Sequence, residues 1–139
     1  MKYLVDTSAL VRIWRKQVDP TWREAAGNGV IAVCEPVLAE LLFSANSNQY
    51  VAVENEILAN YPYVTVPDAV WDRVDEMRHE LARRSAHQGP SVVDMIVAST
   101  AICEELTVLH DDRDFETVAR FIPRLKQRRI NTAFEQSVK

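Results

Sequence analysis

Two kinds of apolar pattern alternate along the chain. Short uninterrupted runs occur at Tyr3-Leu4-Val5, Val30-Ile31-Ala32-Val33, Tyr63-Val64-Thr65-Val66 and Thr107-Val108-Leu109-His110. Runs this short and this continuous predict strands buried on both faces, as parallel strands usually are. Between them apolar residues recur at helical intervals. Ala9, Leu10, Ile13 and Trp14 follow the first run, with Thr7 or Ser8 as the expected cap and an end near Lys16. Pro20 opens a short second helix that Gly27 and Gly29 close. Glu35-Pro36 begins a third, with Val37, Leu38, Leu41, Leu42 and Ala45 as its stripe, and a fourth covers about Gln49 to Asn60. Pro67-Asp68 opens a long helix with Val70, Val74, Met77 and Leu81 on one face and Trp71 widening it. Helices of this length between strands imply βαβ crossovers and a parallel sheet.

Ser91 starts the most apolar helix. From Val92 to Cys103 only Asp94, Ser99 and Thr100 are polar, so the segment is expected to be buried almost all round. The fourth strand runs into Asp111-Asp112-Arg113-Asp114, and one of these acids must cap the helix that follows, Phe115 to Phe121. Beyond Pro123, Arg124-Leu125-Lys126 is the candidate for a last edge strand, and the final ten residues are expected to be loose.

The 139 residues are 47% hydrophobic and 26% charged, the balance of a soluble globular protein and about the size of a single domain, 1–139. No secretory leader and no run of bilayer length stand out, so the expected location is the cytoplasm. Cys34 and Cys103 have no Cys or His at ligand spacing and are expected to be free thiols. Trp14, Trp22 and Trp71 fall within helical patterns, which favours core or interface over base stacking, and His79, His87 and His110 lack partners at ligand spacing. The net charge is −4, but residues 113–139 hold seven Lys/Arg against three acids, which leaves −8 for the remainder. Such asymmetry suits either an enzyme that grips phosphates beside a carboxylate cluster or a solvated basic tail; Arg113, Arg128 and Arg129 are the candidates for phosphate contact.

Four acids interrupt the pattern. Asp6 and Asp112 follow the first and fourth strands, and Glu40 and Asp94 lie in helices at or near the apolar face. In an open parallel sheet, residues just beyond the strand ends line the ligand crevice. The two helical acids each have a local explanation: Glu40 as a solvent-facing helix residue, and Ser91-x-x-Asp94 as a capping box. Local structure does not account for all four together. Clustered carboxylates raise one another's pKa, and a hard cation such as Mg²⁺ or Mn²⁺, one or two per site, removes that conflict. Such a site suggests phosphodiester hydrolysis, with Thr7 and Ser8 supporting Asp6.

The constellation resembles the PIN-domain ribonucleases, and within them the VapC-type toxins of bacterial toxin–antitoxin pairs. The likeness rests on Leu4-Val5-Asp6-Thr7-Ser8-Ala9, on Glu40 and Asp94, and on Val108 through Phe115. It implies a three-layer α/β/α domain with a mainly parallel sheet of four to five strands. It also implies a metal-dependent endoribonuclease, a homodimer and a cognate VapB-type antitoxin that covers the acidic pocket. Carried over by position, Asp6, Glu40, Asp94 and Asp112 form the acidic quartet, with Asp114 as helix cap or secondary contact and the role of Asp111 open. A haloacid-dehalogenase type of phosphotransferase would need an acid where Ser8 stands, and a response-regulator receiver would need paired acids after the first strand. The same residues are compatible with a non-catalytic PIN module that binds RNA or a protein, and with a PIN nuclease that processes RNA outside a toxin–antitoxin pair.

Overall fold

The structure is a computed structural model that describes residues 1–135. Five strands, β1 Tyr3–Val5, β2 Ile31–Cys34, β3 Tyr63–Val64, β4 Thr107–His110 and β5 Lys126–Arg129, form one sheet in the order β3-β2-β1-β4-β5. Every pairing is parallel. The intervening helices are α1 Thr7–Trp14, α2 Thr21–Gly27, α3 Glu35–Leu42, α4 Tyr50–Asn60, α5 Val70–Arg83, α6 Val92–Glu104 and α7 Arg113–Phe121. From β1 the chain proceeds to β2 on one side, and from β4 to β5 on the other, so with right-handed crossovers α1 and α7 lie on opposite faces. Helices α1, α3 and α4 pack among themselves, as do α5, α6 and α7, giving the three layers. The divergence between β1 and β4 is a topological switch point.

The core follows from the apolar runs. Leu4, Val5, Ile31, Ala32, Val33, Val108 and Leu109 are fully buried in the sheet, and the α5 stripe of Val70, Val74, Met77 and Leu81 is buried as its spacing predicts. Trp22 is fully buried, whereas Trp14 and Trp71 are exposed at 41% and 58%. Trp71 therefore does not widen the buried face of α5. It stands one position beyond Val70, off the helix's inward stripe. Among the described residues no helix is long and apolar enough to cross a membrane, and Cys34 and Cys103 are free thiols.

Three expectations need correction. The sequence places the last strand at Arg124–Lys126; β5 instead covers Lys126–Arg129 because Thr107 through His110 pair with Lys126 through Arg129, while Leu125 enters the core. β3 keeps two residues of the four expected, since only Tyr63 and Val64 find partners on β2. The segment after residue 130 is packed as far as 135. Ile130 is buried, its N–H donates to the His110 carbonyl, and the Phe134 N–H donates to Thr21 Oγ1. Phe134 packs against Trp22, with ring centroids 5.2 Å apart, and the Trp22 indole N–H donates to the Thr132 carbonyl. The expectation of a loose end for residues 136–139 lies outside the described residues.

Candidate metal and nuclease site

At the carboxyl edge of β1 the backbone enters α1 through Asp6, whose extended φ/ψ and side chain make it the helix cap. Neither Thr7 nor Ser8 has that role. Asp6 Oδ1 accepts from the Ala9 N–H at 3.0 Å, and Ser8 Oγ donates to both carboxylate oxygens at 2.8 and 2.9 Å. Ser8 Oγ in turn accepts the Asp111 N–H at 2.9 Å. One hydroxyl thus joins the two acid-bearing motifs across 103 residues of chain. Asp6 is only 4% exposed, and burial pushes its carboxyl up to about 6 against the lowering effect of its hydrogen bonds, with the charge of Asp94 adding to the rise.

β4 delivers the second group. Asp112 caps α7, its Oδ1 accepting from the Asp114 N–H at 2.9 Å. The cap expected of Asp114 is therefore supplied by Asp112, because Asp112 has the extended backbone and α7 begins at Arg113. Asp114 lies in the first turn. His110, buried beneath this turn, accepts the Asp112 N–H at Nδ1 and meets Gln127 Oε1 through Nε2 at 2.6 Å. A ring that accepts at one nitrogen and donates at the other is neutral, in keeping with burial holding its pKa below the usual histidine value.

From α6 comes Asp94. The capping box is real: Asp94 N–H donates to Ser91 Oγ at 3.0 Å, and Ser91 N–H donates to Asp94 Oδ2 at 2.9 Å. Capping and convergence are not exclusive. Asp94, Asp112 and Asp114 each offer a carboxylate oxygen, and the three oxygens lie within 4.8 Å of one another. Burial, then the neighbouring carboxylates, raise Asp94; burial and Asp112 raise Asp114. A half-buried all-oxygen set whose members repel one another fits a hard divalent cation.

Of the four acids expected, the structure thus brings Asp94 and Asp112 together and adds Asp114. Asp6 stands beside this group within electrostatic reach of Asp94, its oxygens held by Ser8 and Ala9. Glu40 is exposed on α3 and accepts a hydrogen bond from the Thr7 hydroxyl, so it belongs to the rim. Asp111 is committed elsewhere: it pairs with Arg12 through one oxygen and with Arg129 Nη1 through the other at 3.1 Å. Arg129 also holds Glu116 at 2.9 Å. Arg128 is turned inward, donating to the Tyr3 hydroxyl and the Ala133 carbonyl, with its guanidinium 4.8 Å from the Trp22 ring centre. Of the three arginines expected to meet phosphates, Arg113 alone is exposed, while Arg128 and Arg129 are engaged within the molecule.

Sequence reasoning missed Gly89. A Cβ there would lie 3.0 Å from Asp114 Oδ1, closer than the roughly 3.3–3.6 Å of a weak C–H···O contact. Gly89-Pro90 carried a signal, but as a helix terminator. It also clears space for a carboxylate.

A parallel sheet with acids gathered at its switch point defines a class. The chain belongs to the PIN domain family, which matches residues 3–121. It is similar to Ribonuclease VapC6 of Mycobacterium tuberculosis, 38% identical over 109 residues that cover 78% of this chain and 86% of the relative. Ribonuclease VapC2 of Mycobacterium tuberculosis is 32% identical over 120 residues, 85% of each chain. Among solved structures, VapBC2 from Rickettsia felis bound to a promoter DNA fragment matches with a TM-score of 0.75 at 24% identity, covering 93% of this chain and 98% of that one. VapBC-5 from Mycobacterium tuberculosis matches with a TM-score of 0.64 at 20% identity, covering 94% and 98%. These structures share the fold.

Proposed function

We propose that the protein is a metal-dependent endoribonuclease that hydrolyses RNA phosphodiester bonds, acts as the toxin of a VapBC-type pair and is neutralised by a cognate antitoxin. The observation that carries this reading is the convergence of Asp94, Asp112 and Asp114, three carboxylates without an arginine or lysine paired to them among the described residues, beside buried Asp6. The ribonuclease relatives, at 38% and 32% identity, support the same activity. A homodimer belongs to the reading, for which Phe43, Val51 and Trp71 offer exposed apolar surface.

Asp94, Asp112 and Asp114 would hold Mg²⁺ or Mn²⁺, one or two ions, which when bound neutralise the acids and stabilise charge on a phosphate undergoing displacement. Ser8 holds the Asp6 carboxylate at the end of β1 by donating its hydroxyl hydrogen bond to it. Thr7 and Glu40 hold each other at the α1–α3 rim. Arg113, exposed in the first turn of α7 beside the acids, would meet a substrate phosphate.

Purified protein is expected to cleave single-stranded RNA with Mg²⁺ or Mn²⁺ and to stop in excess EDTA. Asp94→Asn should lower kcat by more than the roughly 10–100-fold typical of an outer-shell change while the protein stays folded by circular dichroism. Full cleavage in EDTA would refute the reading.

A further inference from the structure

We propose that Asp111 is a positioning residue of the acidic edge, an ionic pivot between Arg12 and Arg129 that sets where Asp112 and Asp114 stand relative to Asp94. This rests on the nuclease reading above and deepens it. At the switch point α1 and α7 leave the sheet on opposite faces, so the crevice that admits a substrate also separates the layers that must carry its ligands. Asp111 spans that separation. One carboxylate oxygen meets Arg12 Nε on α1, and the other meets Arg129 Nη1 on β5 at 3.1 Å. Through Nε and Nη2, at 3.1 and 2.9 Å, Arg129 continues the chain of charges to Glu116 on α7. The Asp111 N–H is fixed by Ser8 Oγ at 2.9 Å.

Three anchors therefore converge on the residue immediately before the α7 cap. The side chain of Asp111 is 16% exposed, against 48% for Arg12 and 28% for Arg129. Isolated surface pairs contribute little to stability. This network's consequence is geometric, since displacements of about 1 Å at a reacting centre cost up to 10²-fold in rate. It also occupies two guanidiniums. Without the Asp111 charge, Arg12 loses its carboxylate partner and Arg129 keeps only Glu116, so α1 is no longer tied to β5 and α7 through this residue.

The test uses the full-length protein with Asp111→Asn, which keeps the backbone N–H bond to Ser8, and Asp111→Glu, which keeps the charge. Manganese binding is followed by titration calorimetry, cleavage by steady-state kinetics on a single-stranded oligoribonucleotide, and folding by thermal melts. Asp111→Asn is expected to weaken the Mn²⁺ Kd about tenfold at unchanged stoichiometry and to lower kcat about tenfold with KM within about twofold, the scale of an outer-shell effect. Tm should move by only a few degrees, and Asp111→Glu should recover most of the loss. Wild-type Kd and kcat in Asp111→Asn would overturn the proposal. So would a fall in stoichiometry at constant Kd, the mark of a partly unfolded sample. If the wild-type protein neither takes up Mn²⁺ nor cleaves RNA, the nuclease reading falls too; if it does both and Asp111→Asn matches it, the pivot alone falls.

Discussion

Burial without a cation beside it holds the Asp6 carboxyl at about 6, and its folded value therefore lies above that of an unfolded aspartate. The native ion-free protein binds a proton more tightly than the unfolded chain, so this group favours folding below about pH 4 and loses that contribution as pH rises through about 6. That difference in proton affinity corresponds to roughly 2–3 kcal/mol. Asp6→Asn is expected to raise the Tm of ion-free protein at pH 7.5, with the difference closing near pH 4 in parallel melts. Asp94 and Asp114 are raised in the same direction. Divalent binding should accordingly weaken as pH falls, because the cation must displace protons; calorimetry across pH reads this directly. At Gly89 the constraint is steric. Gly89→Ala should weaken Mn²⁺ affinity severalfold with little change in Tm, since the added carbon meets the flexible end of Asp114. The acids were legible in the sequence because strand ends followed by Asp are distinctive. Which of three neighbouring aspartates caps, converges or pairs with arginine was not, since Arg12 and Arg129 reach Asp111 from distant segments.

Helix α6 shows how one element serves two ends. Its capping box fixes the first turn and, in the same bonds, aims the Asp94 carboxylate. Ser91→Ala should cost about 1 kcal/mol of stability and also reduce kcat, because the Asp94 N–H loses its acceptor and the first turn that carries the carboxylate loosens, although the Ser91 backbone N–H to Asp94 Oδ2 is kept; urea melts and cleavage assays measure the two separately. The helices with clear stripes were predictable from periodicity alone, and Val70, Val74, Met77 and Leu81 are buried as that spacing requires. β5 was not. Lys126-Gln127-Arg128-Arg129 has no apolar run and becomes a strand through pairing with β4, an interaction no local pattern encodes. In the first turn of α7, Arg113→Glu should weaken RNA binding and reduce the salt slope by about one, as filter binding across salt concentrations will register.

In the whole molecule residues 128–134 return to the first strand and α2. Arg128, Thr132 and Phe134 close over Tyr3 and Trp22, with the Tyr3 and Trp22 ring centres 5.5 Å apart and Tyr3 and Phe134 at 6.4 Å. Phe134→Ala is expected to lower stability by about 1–3 kcal/mol and to change Trp22 fluorescence, read in denaturant titrations. Nothing near residue 134 in the sequence announces this packing, since Thr21 and Trp22 lie more than 110 positions earlier. The same topology governs assembly of the acidic edge. β1 takes β4 as a neighbour only after 107 residues exist, and Asp6 acquires Asp94, Asp112 and Asp114 as companions only then. A polypeptide still being synthesised, or one cut short before Thr107, can pair its first strand with β2 but carries its first aspartate without β4 and the acids that follow it. The fourth strand and the acidic edge arrive together.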